Sequence, residues 1–369
     1  MTARAAEALQ PHPTRPCLVT GALLSWACHA CSPMPQALLM RLLRERVGCI
    51  VGEEEEAGID IEAPPFRAGE IVAPAELEPL IIRLRGRMDE LAAEISPSSE
   101  LAALTAFLDP IDGTREFCSG LGEQCSICIG FADGETGAAV GGLVYRPLCS
   151  SGSWALGCAR EAAKASVARP PPAAFVGKRA AESDAPRGAF LCSNGSVSPF
   201  LKALQADLGF AECRQGGAGN KALMLLEVAA AGSGSSCYIQ DRGVSRWDTC
   251  AAQAVIEAHG GMLTRLDAVV DSPRDDTLLP TYTYLKGSLN SIFVPGLSHL
   301  TPYNAQPGVL SAEEQGSGAA RRMAAAAEEV KPYANVCGLF ALAPGTDGDA
   351  KAMRTAVKRA AAIQAPAFD

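Results

Sequence analysis

The chain has 369 residues, 48% of them hydrophobic, enough to bury a substantial core in one large domain or two closely packed ones without covalent staples. Its 32 Lys and Arg against 41 Asp and Glu give a formal net charge of -9, which excludes a nucleic-acid surface built on basic residues. A small anion must then be held by local devices such as metal ions or helix N-termini.

The 14 cysteines are scattered along the chain, several within apolar runs, and read as reduced, buried thiols. Cys28-His29-Ala30-Cys31 and Cys125-Ser126-Ile127-Cys128 have zinc-like spacing. The second pair lies in a strand-like run, where positions three apart point to opposite faces and do not chelate one ion. No uninterrupted apolar run reaches the roughly 18 residues of a membrane-spanning helix, so a soluble protein without membrane contact is expected.

In chain order, residues 1–45 read as a proline-containing arm, irregular to about residue 36, and either aberrant or a weak targeting segment. A helix is predicted over 35–47, leading through Cys49-Ile50-Val51 into Gly52-Glu53-Glu54-Glu55-Glu56, a run that by itself reads as a solvated loop. Leu77, Leu80, Ile81, Leu84, Met88 and Leu91 recur at helical spacing over 75–95. The apolar run Leu101 to Leu108 reads as a buried strand that delivers a polar loop beginning at Asp109-Pro110. Cys125 to Phe131 and Ala138 to Tyr145 read as a hairpin, which completes an N-terminal α+β lobe over 46–160.

Residues 161–188, rich in Ala, Pro and Arg, read as a surface connection to a C-terminal α/β lobe over 189–304. There a strand at 189–192 runs through Ser193-Asn194-Gly195-Ser196 into a helix at 199–208. Gly216-Gly217-Ala218-Gly219-Asn220-Lys221 opens a second helix from about 222 to 230, and a strand follows at 237–240. Trp247-Asp248-Thr249 starts a third helix, stopped by Gly260-Gly261. Residues 305–369 read as an Ala-rich tail with helical patches at 318–330 and 350–362 and no catalytic part.

Chemistry concentrates in Asp109-Pro110-Ile111-Asp112-Gly113-Thr114. Two carboxylates at the end of an apolar strand are costly unless a cation neutralises them. A hard divalent ion such as Mg2+ takes carboxylates and an exposed carbonyl, here that of Ile111. The hydroxyl of Thr114 would orient a water made nucleophilic by the ion. Asp248 and Lys221 stand at predicted helix starts, where backbone N–H groups attract anions, and Asp248 also reads as an N-cap.

Gly52-Glu53-Glu54, Leu108 to Thr114, and Trp247-Asp248-Thr249 with Gly260-Gly261 occur in the order of the three acidic motifs of the inositol monophosphatase superfamily, which residues 45–300 resemble. Within it, Gly216 to Lys221 together with Arg246 to Ala251 resemble the 3'(2'),5'-bisphosphate nucleotidase branch. The resemblance implies an α+β fold, the layered α-β-α-β-α sandwich of the inositol monophosphatase and sugar phosphatase type, with a truncated N-terminal helical part. It implies Mg2+ held by Glu53, Asp109, the Ile111 carbonyl, Asp112 and Asp248, with Thr114 and Asp112 catalytic. Gly217, Lys221 and Asp248 would meet the nucleotide, with Ser193 or Ser196 near its phosphate.

The implied reaction is Mg2+-dependent hydrolysis of the 3'-phosphate of adenosine 3',5'-bisphosphate to AMP and phosphate, sensitive to lithium and serving sulfur metabolism. The alternatives are an inositol phosphate phosphatase and a catalytically impaired nucleotide- or metal-binding homologue. A phosphorylated nucleotide is the implied partner of a monomer or homodimer in the cytoplasm, with an organelle as the alternative. Three departures stand out, one of them an insertion from Ala229 to Ser236 that reads as a tolerated surface loop. An Asp expected upstream of Gly52 to pair with Thr114 is absent, the first Asp being Asp60, so either Glu54 or Glu55 stands in, or the N-terminal part is aberrant, or catalysis is reduced. A histidine expected in the 193–196 loop is also absent.

Overall fold

The computed structural model describes residues 33–53, 75–149, 153–158, 188–230, 235–241, 244–274, 279, 282–285, 334–335 and 337–367. Glu54, Glu55, the predicted connection except Gly188, the helical patch at 318–330 and the Cys28–Cys31 pair lie outside them.

Five strands form the first sheet, in order β1 (Cys49–Gly52), β2 (Leu104–Asp112), β3 (Ser126–Asp133), β4 (Ala139–Arg146) and β5 (Ser153–Cys158). β1 runs parallel to β2, and the remaining pairs are antiparallel. The period of two in their side chains separates the faces. On one face, Ala106 and Leu108 of β2 pack on Met40 and Leu43 of α1 (Pro33–Leu43), which in turn contacts α2 (Glu78–Glu94). On the other, Cys128, Val144 and Ala155 pack on Leu223 and Leu226 of α5 (Ala218–Ala230) and on Ala251 and Val255 of α6 (Arg246–Ala258).

The second sheet has the order β10 (Met262–Arg265), β12 (Leu339–Leu342), β8 (Ser235–Gln240), β6 (Gly188–Cys192), β7 (Ala211–Arg214). Tyr238, Leu191, Leu339 and Ala341 share a core with Met224, Leu225, Ala252 and Ile256 of α5 and α6. The alternate residues Phe190, Cys237, Ile239, Phe340 and Leu342 pack on the far side against α4 (Pro199–Leu208), α7 (Leu266–Asp271) and α8 (Asp347–Ile363). The layers therefore run α1/α2, first sheet, α5/α6, second sheet, α4/α7/α8: the α-β-α-β-α sandwich of an α+β protein. A short pair, β9 (Val244–Ser245) with β11 (Ala334–Asn335), stands apart from both sheets.

Among the described residues beyond 305, the helical patch read at 350–362 is α8, but a strand stands where the sequence reads only an Ala-rich tail. Leu339–Leu342 lies between β8 and β10 inside the second sheet, antiparallel to both, and α8 packs on α4. All four residues of the strand are buried, because both of its faces are covered.

Three glycines decide where α6 sits. Gly130, Gly142 and Gly157 are register partners across β3, β4 and β5. A Cβ on Gly130 would lie 2.6 Å from Ala251 N, one on Gly142 2.8 Å from Ala251 Cα, and one on Gly157 2.4 Å from Ala254 O. The row is a trough in which the backbone of α6 rests on the sheet, and its N-terminal turn is thereby carried to the end of β2.

Candidate metal centre

Register brings the acidic residues together. Gly52 pairs with Leu108 in the parallel β1–β2 ladder, so the next residues, Glu53 and Asp109, leave the sheet at the same end. Gly52 itself has no room for a side chain, since a Cβ there would lie 2.4 Å from the fully buried Gln36 amide. β2 continues beyond Leu108 through the polar segment, with its register to β3 shifting between Asp109 and Asp112. This irregularity is where a strand tolerates Pro110, which has no N–H to give. Gly113 then turns at a φ of 87° to open the short helix α3 (Thr114–Cys118).

Asp109, Asp112 and Asp248 converge, with one carboxylate oxygen from each lying within 4.8 Å of the others. Asp109 and Asp112 are buried, and Asp248 keeps some exposure. Glu53 stands beyond that trio, its charge acting on Asp109. Ile111 is half-buried and donates its N–H to Asp109 Oδ1 at 3.1 Å.

Asp112 is held from three sides. Its Oδ1 accepts the N–H of Ala218 at 2.9 Å, and its Oδ2 accepts the N–H of Gly219 at 2.8 Å and the Ser126 hydroxyl at 2.6 Å. These N–H groups are the first of α5, so a carboxylate from another strand does the work of a helix cap. That is why α5 begins at Ala218, inside the glycine segment, and not near residue 222. Asp248 belongs to the third position of α6 and not to its N-cap, which is Ser245. Its Oδ2 accepts the Ser245 N–H at 2.7 Å, as in a capping box. Both helix N-termini thus direct their positive ends at the carboxylates.

That support is incomplete for Asp109. Its Oδ2 is buried with no hydrogen-bond partner among the described residues. Burial first, then the charges of Glu53, Asp112 and Asp248, push its carboxyl well above the ordinary carboxylate range. Burial and Asp112 push Asp248 up to about 7, against the opposing pull of the Ser245 N–H, the Asp109 hydrogen bond and Lys221. Crowded carboxylates, oxygen donors only, and an orphaned oxygen fit a hard divalent cation. The neighbouring Cys128 thiol is raised well above its usual value by burial and by the same carboxylates, which keeps it protonated and unsuited to metal binding. Cys125 is also a free thiol, directed at the Gly113 carbonyl, whereas Cys118 is disulfide-bonded.

The glycine segment presses on this centre. Gly217, at a φ of 65°, sits where a Cβ would lie 2.9 Å from Asp112 Oδ2. Lys221 does not reach the carboxylates by hydrogen bond. It is buried, its Nζ donates to the carbonyl of Gly217 at 2.7 Å and lies 4.8 Å from the Tyr238 ring centre, and burial lowers its pKa. The 193–196 loop is tied in through Asn194, which donates to Glu116 at 3.2 Å and to Gln124 at 2.7 Å; Gln124 also accepts the Gly216 N–H at 2.7 Å. Ser193 Oγ accepts the N–H of Gly195 at 3.2 Å, and Ser196 is exposed. Thr114, half-buried, is the first residue of α3, directly beyond Gly113.

Sequence reading missed Ser126, Glu116, Gln124, Asn194 and Asn220 as parts of this assembly. Asn220 was within the quoted glycine segment, but the Arg146 guanidinium that donates to its Oδ1 lies 74 residues away.

Two sheets enclosing a helix pair, with carboxylates gathered at two helix N-termini, define a layered α+β protein with a cluster of acids that could hold a cation. The inositol monophosphatase family model matches residues 86–293, more than half of the chain, and the chain belongs to that family. It is 28% identical over 216 residues to mouse 3'(2'),5'-bisphosphate nucleotidase 1, covering 53% of this chain and 61% of that protein. Identity to the human protein of the same name is 30% over 170 residues, 44% of this chain and 49% of that one. With the Golgi-resident adenosine 3',5'-bisphosphate 3'-phosphatase of Bos taurus it is 26% over 183 residues, 48% and 46%. The chain thus spans at most 61% of the length of these relatives. A solved inositol monophosphatase from Anabaena is similar at 14% identity, with a TM-score of 0.39, over 92% of this chain and 96% of that one.

No helix among the described residues is long and apolar enough to cross a membrane.

Proposed function

We propose that this chain is a Mg2+-dependent phosphomonoesterase that removes the 3'-phosphate of adenosine 3',5'-bisphosphate, giving AMP and phosphate. The observation that carries this reading is the convergence of Asp109, Asp112 and Asp248 around a buried Asp109 oxygen that has no protein partner among the described residues. Glu53, Asp109, Asp112, Asp248 and the Ile111 carbonyl would hold the ion, which supplies charge stabilisation to the phosphoryl group in flight.

The protein's own part is positional. The Thr114 hydroxyl orients the attacking water, and the N-terminus of α6 presents positive potential to the phosphoryl oxygens. Gly217 admits the substrate close to Asp112, Lys221 and Asp248 border the nucleotide, and Ser193 or Ser196 lies near a phosphate. The adenosine bisphosphate is preferred over an inositol phosphate because the proteins named 3'(2'),5'-bisphosphate nucleotidase 1 match at 28% and 30% identity, above the 26% to an inositol monophosphatase 3 of Xenopus laevis.

The test is phosphate release by the purified chain from adenosine 3',5'-bisphosphate, inositol 1-phosphate and inositol 1,4-bisphosphate, with Mg2+ and with EDTA. The proposal expects Mg2+-dependent turnover with kcat/KM highest on the nucleotide. Preference for an inositol phosphate would move the substrate to the other branch, and the absence of turnover on all three would overturn the phosphatase reading.

A further inference from the structure

Behind the metal centre, between the first sheet and α5, lies a buried polar chain that does not touch the carboxylates. Arg146 ends β4 and Ser153 begins β5, and the two are register partners. Arg146 donates through Nη2 to Ser153 Oγ at 2.7 Å and to Glu227, and through Nη1 to Asn220 Oδ1 at 3.1 Å. Ser153 donates in turn to Glu227 Oε1 at 2.7 Å. Arg146, Ser153, Asn220 and Glu227 are all buried. Asn220 and Glu227 are two turns apart on α5, so one guanidinium spans both.

A guanidinium only donates, so its bond to Oδ1 fixes which way the Asn220 amide faces. The amide nitrogen is thereby directed at the Gly216 carbonyl, 3.0 Å away. Gly216 begins the turn whose next N–H groups, those of Ala218 and Gly219, hold Asp112. A buried ion pair is a weak source of stability, since an apolar pair of similar volume often does as well. Orientation is what this pair adds.

We infer that Arg146 is a positioning residue: with Glu227 and Ser153 it fixes Asn220, and through Asn220 the Gly216–Gly219 turn that aims the Asp112 carboxylate. The inference rests on Asp112 belonging to a cation site. It is tested on cation affinity, so that it fails separately from the phosphatase reading.

Mn2+ binding is measured by calorimetry on the full chain, alongside the thermal midpoint and kcat and KM for adenosine 3',5'-bisphosphate. Three variants are compared: R146M/E227L, which replaces the pair by apolar residues; N220A, which keeps the ion pair; and R146K, the conservative change. The folded R146M/E227L and N220A proteins are expected to bind Mn2+ about 10- to 100-fold more weakly, the usual cost of losing an outer-sphere support. Their kcat falls more than KM rises, and R146K lies between them and the wild type.

A merely structural role would lower the thermal midpoint and leave the affinity of the folded protein unchanged, and that result in either variant overturns the inference. Should R146M/E227L fail to fold, N220A decides alone. Wild-type protein that binds Mn2+ yet releases no phosphate defeats the phosphatase reading while the affinity comparison stands. Wild-type protein that binds no divalent cation defeats both.

Discussion

Asp109 and Asp112 leave the same bulged strand three residues apart, yet their surroundings are opposites. Asp112 is satisfied by the fold itself, by two N–H groups of α5 and the Ser126 hydroxyl. Asp109 keeps a buried oxygen with no protein partner among the described residues and a carboxyl pushed far up by burial and by neighbouring acids. One is an anchor that belongs to the structure, and the other is a group whose energy, on the proposed reading, is recovered when a cation arrives. A binding centre needs both: a ligand fixed in advance, and a site whose strain the ligand relieves.

The sharpest way to break this comparison is to remove each charge in turn. D112N and D109N should both lower phosphate release at fixed Mg2+ by at least about 100-fold, since even outer-sphere losses cost 10- to 100-fold. Their stabilities should diverge. In EDTA, D112N turns an amide toward donors that need an acceptor and should cost about 1–3 kcal/mol. D109N replaces a buried carboxyl whose ionisation burial and the neighbouring acids oppose, and should leave the cation-free protein as stable as wild type or more so. Urea unfolding checks the pair, and a D109N protein destabilised as much as D112N would erase the distinction.

The second prediction concerns the trough that delivers Asp248. A Cβ at Gly142 would fall 2.7 Å from Ala251 O and 2.8 Å from its Cα, both backbone atoms that cannot swing aside. G142A should therefore lift α6, at about 1–3 kcal/mol. It should also weaken Mg2+ binding, because α6 carries Asp248. A variant destabilised with unchanged Mg2+ affinity would show that α6 is not what places this ligand.

A third follows from the titration of the centre. An acid that holds its proton more tightly when folded stabilises the fold below its ordinary pKa, near 4, and loses that contribution as the pH rises through the folded value. Asp248, pushed up to about 7, and Asp109, raised well above its ordinary value, both act in this direction. Without divalent cation the thermal midpoint should fall between pH 5 and pH 8. Saturating Mg2+ binds the deprotonated carboxylates and should remove most of the fall, and a cation-free midpoint that rises over this range would contradict the assignment of strain to Asp109 and Asp248.

How far the sequence led follows from which contacts are local. The hairpin β3–β4, helices α1, α2, α4 and α6, and the three acidic motifs were legible because period, caps and spacing lie within a few residues. Strands β7, β10 and β12 were not. Each has four residues, and Leu339-Phe340-Ala341-Leu342 is uniformly apolar, so no period distinguishes it within an Ala-rich stretch. The extension of β2 through Asp112 was hidden by Pro110, which argues against a strand until the irregularity that accommodates it is seen. The start of α5 was hidden for another reason: its capping acceptor is Asp112, 106 residues from Ala218, so no local signal exists. The glycines of β3, β4 and β5 were a signal left unread, since Gly inside a strand marks close backbone approach.

The smallest predicted effect sharpens what anchors Asp112. Ser126 donates to Asp112 Oδ2 at 2.6 Å, on the oxygen that also receives the Gly219 N–H, while Oδ1 is held independently by Ala218. S126A removes one of three bonds and leaves both backbone donors in place. It should cost about 1 kcal/mol of stability and less than about 10-fold in Mg2+ affinity, well below the loss in D112N. If S126A instead weakens Mg2+ as severely as D112N, the hydroxyl and not the end of α5 fixes the carboxylate, and the glycine segment would be left with shape alone as its contribution to the centre.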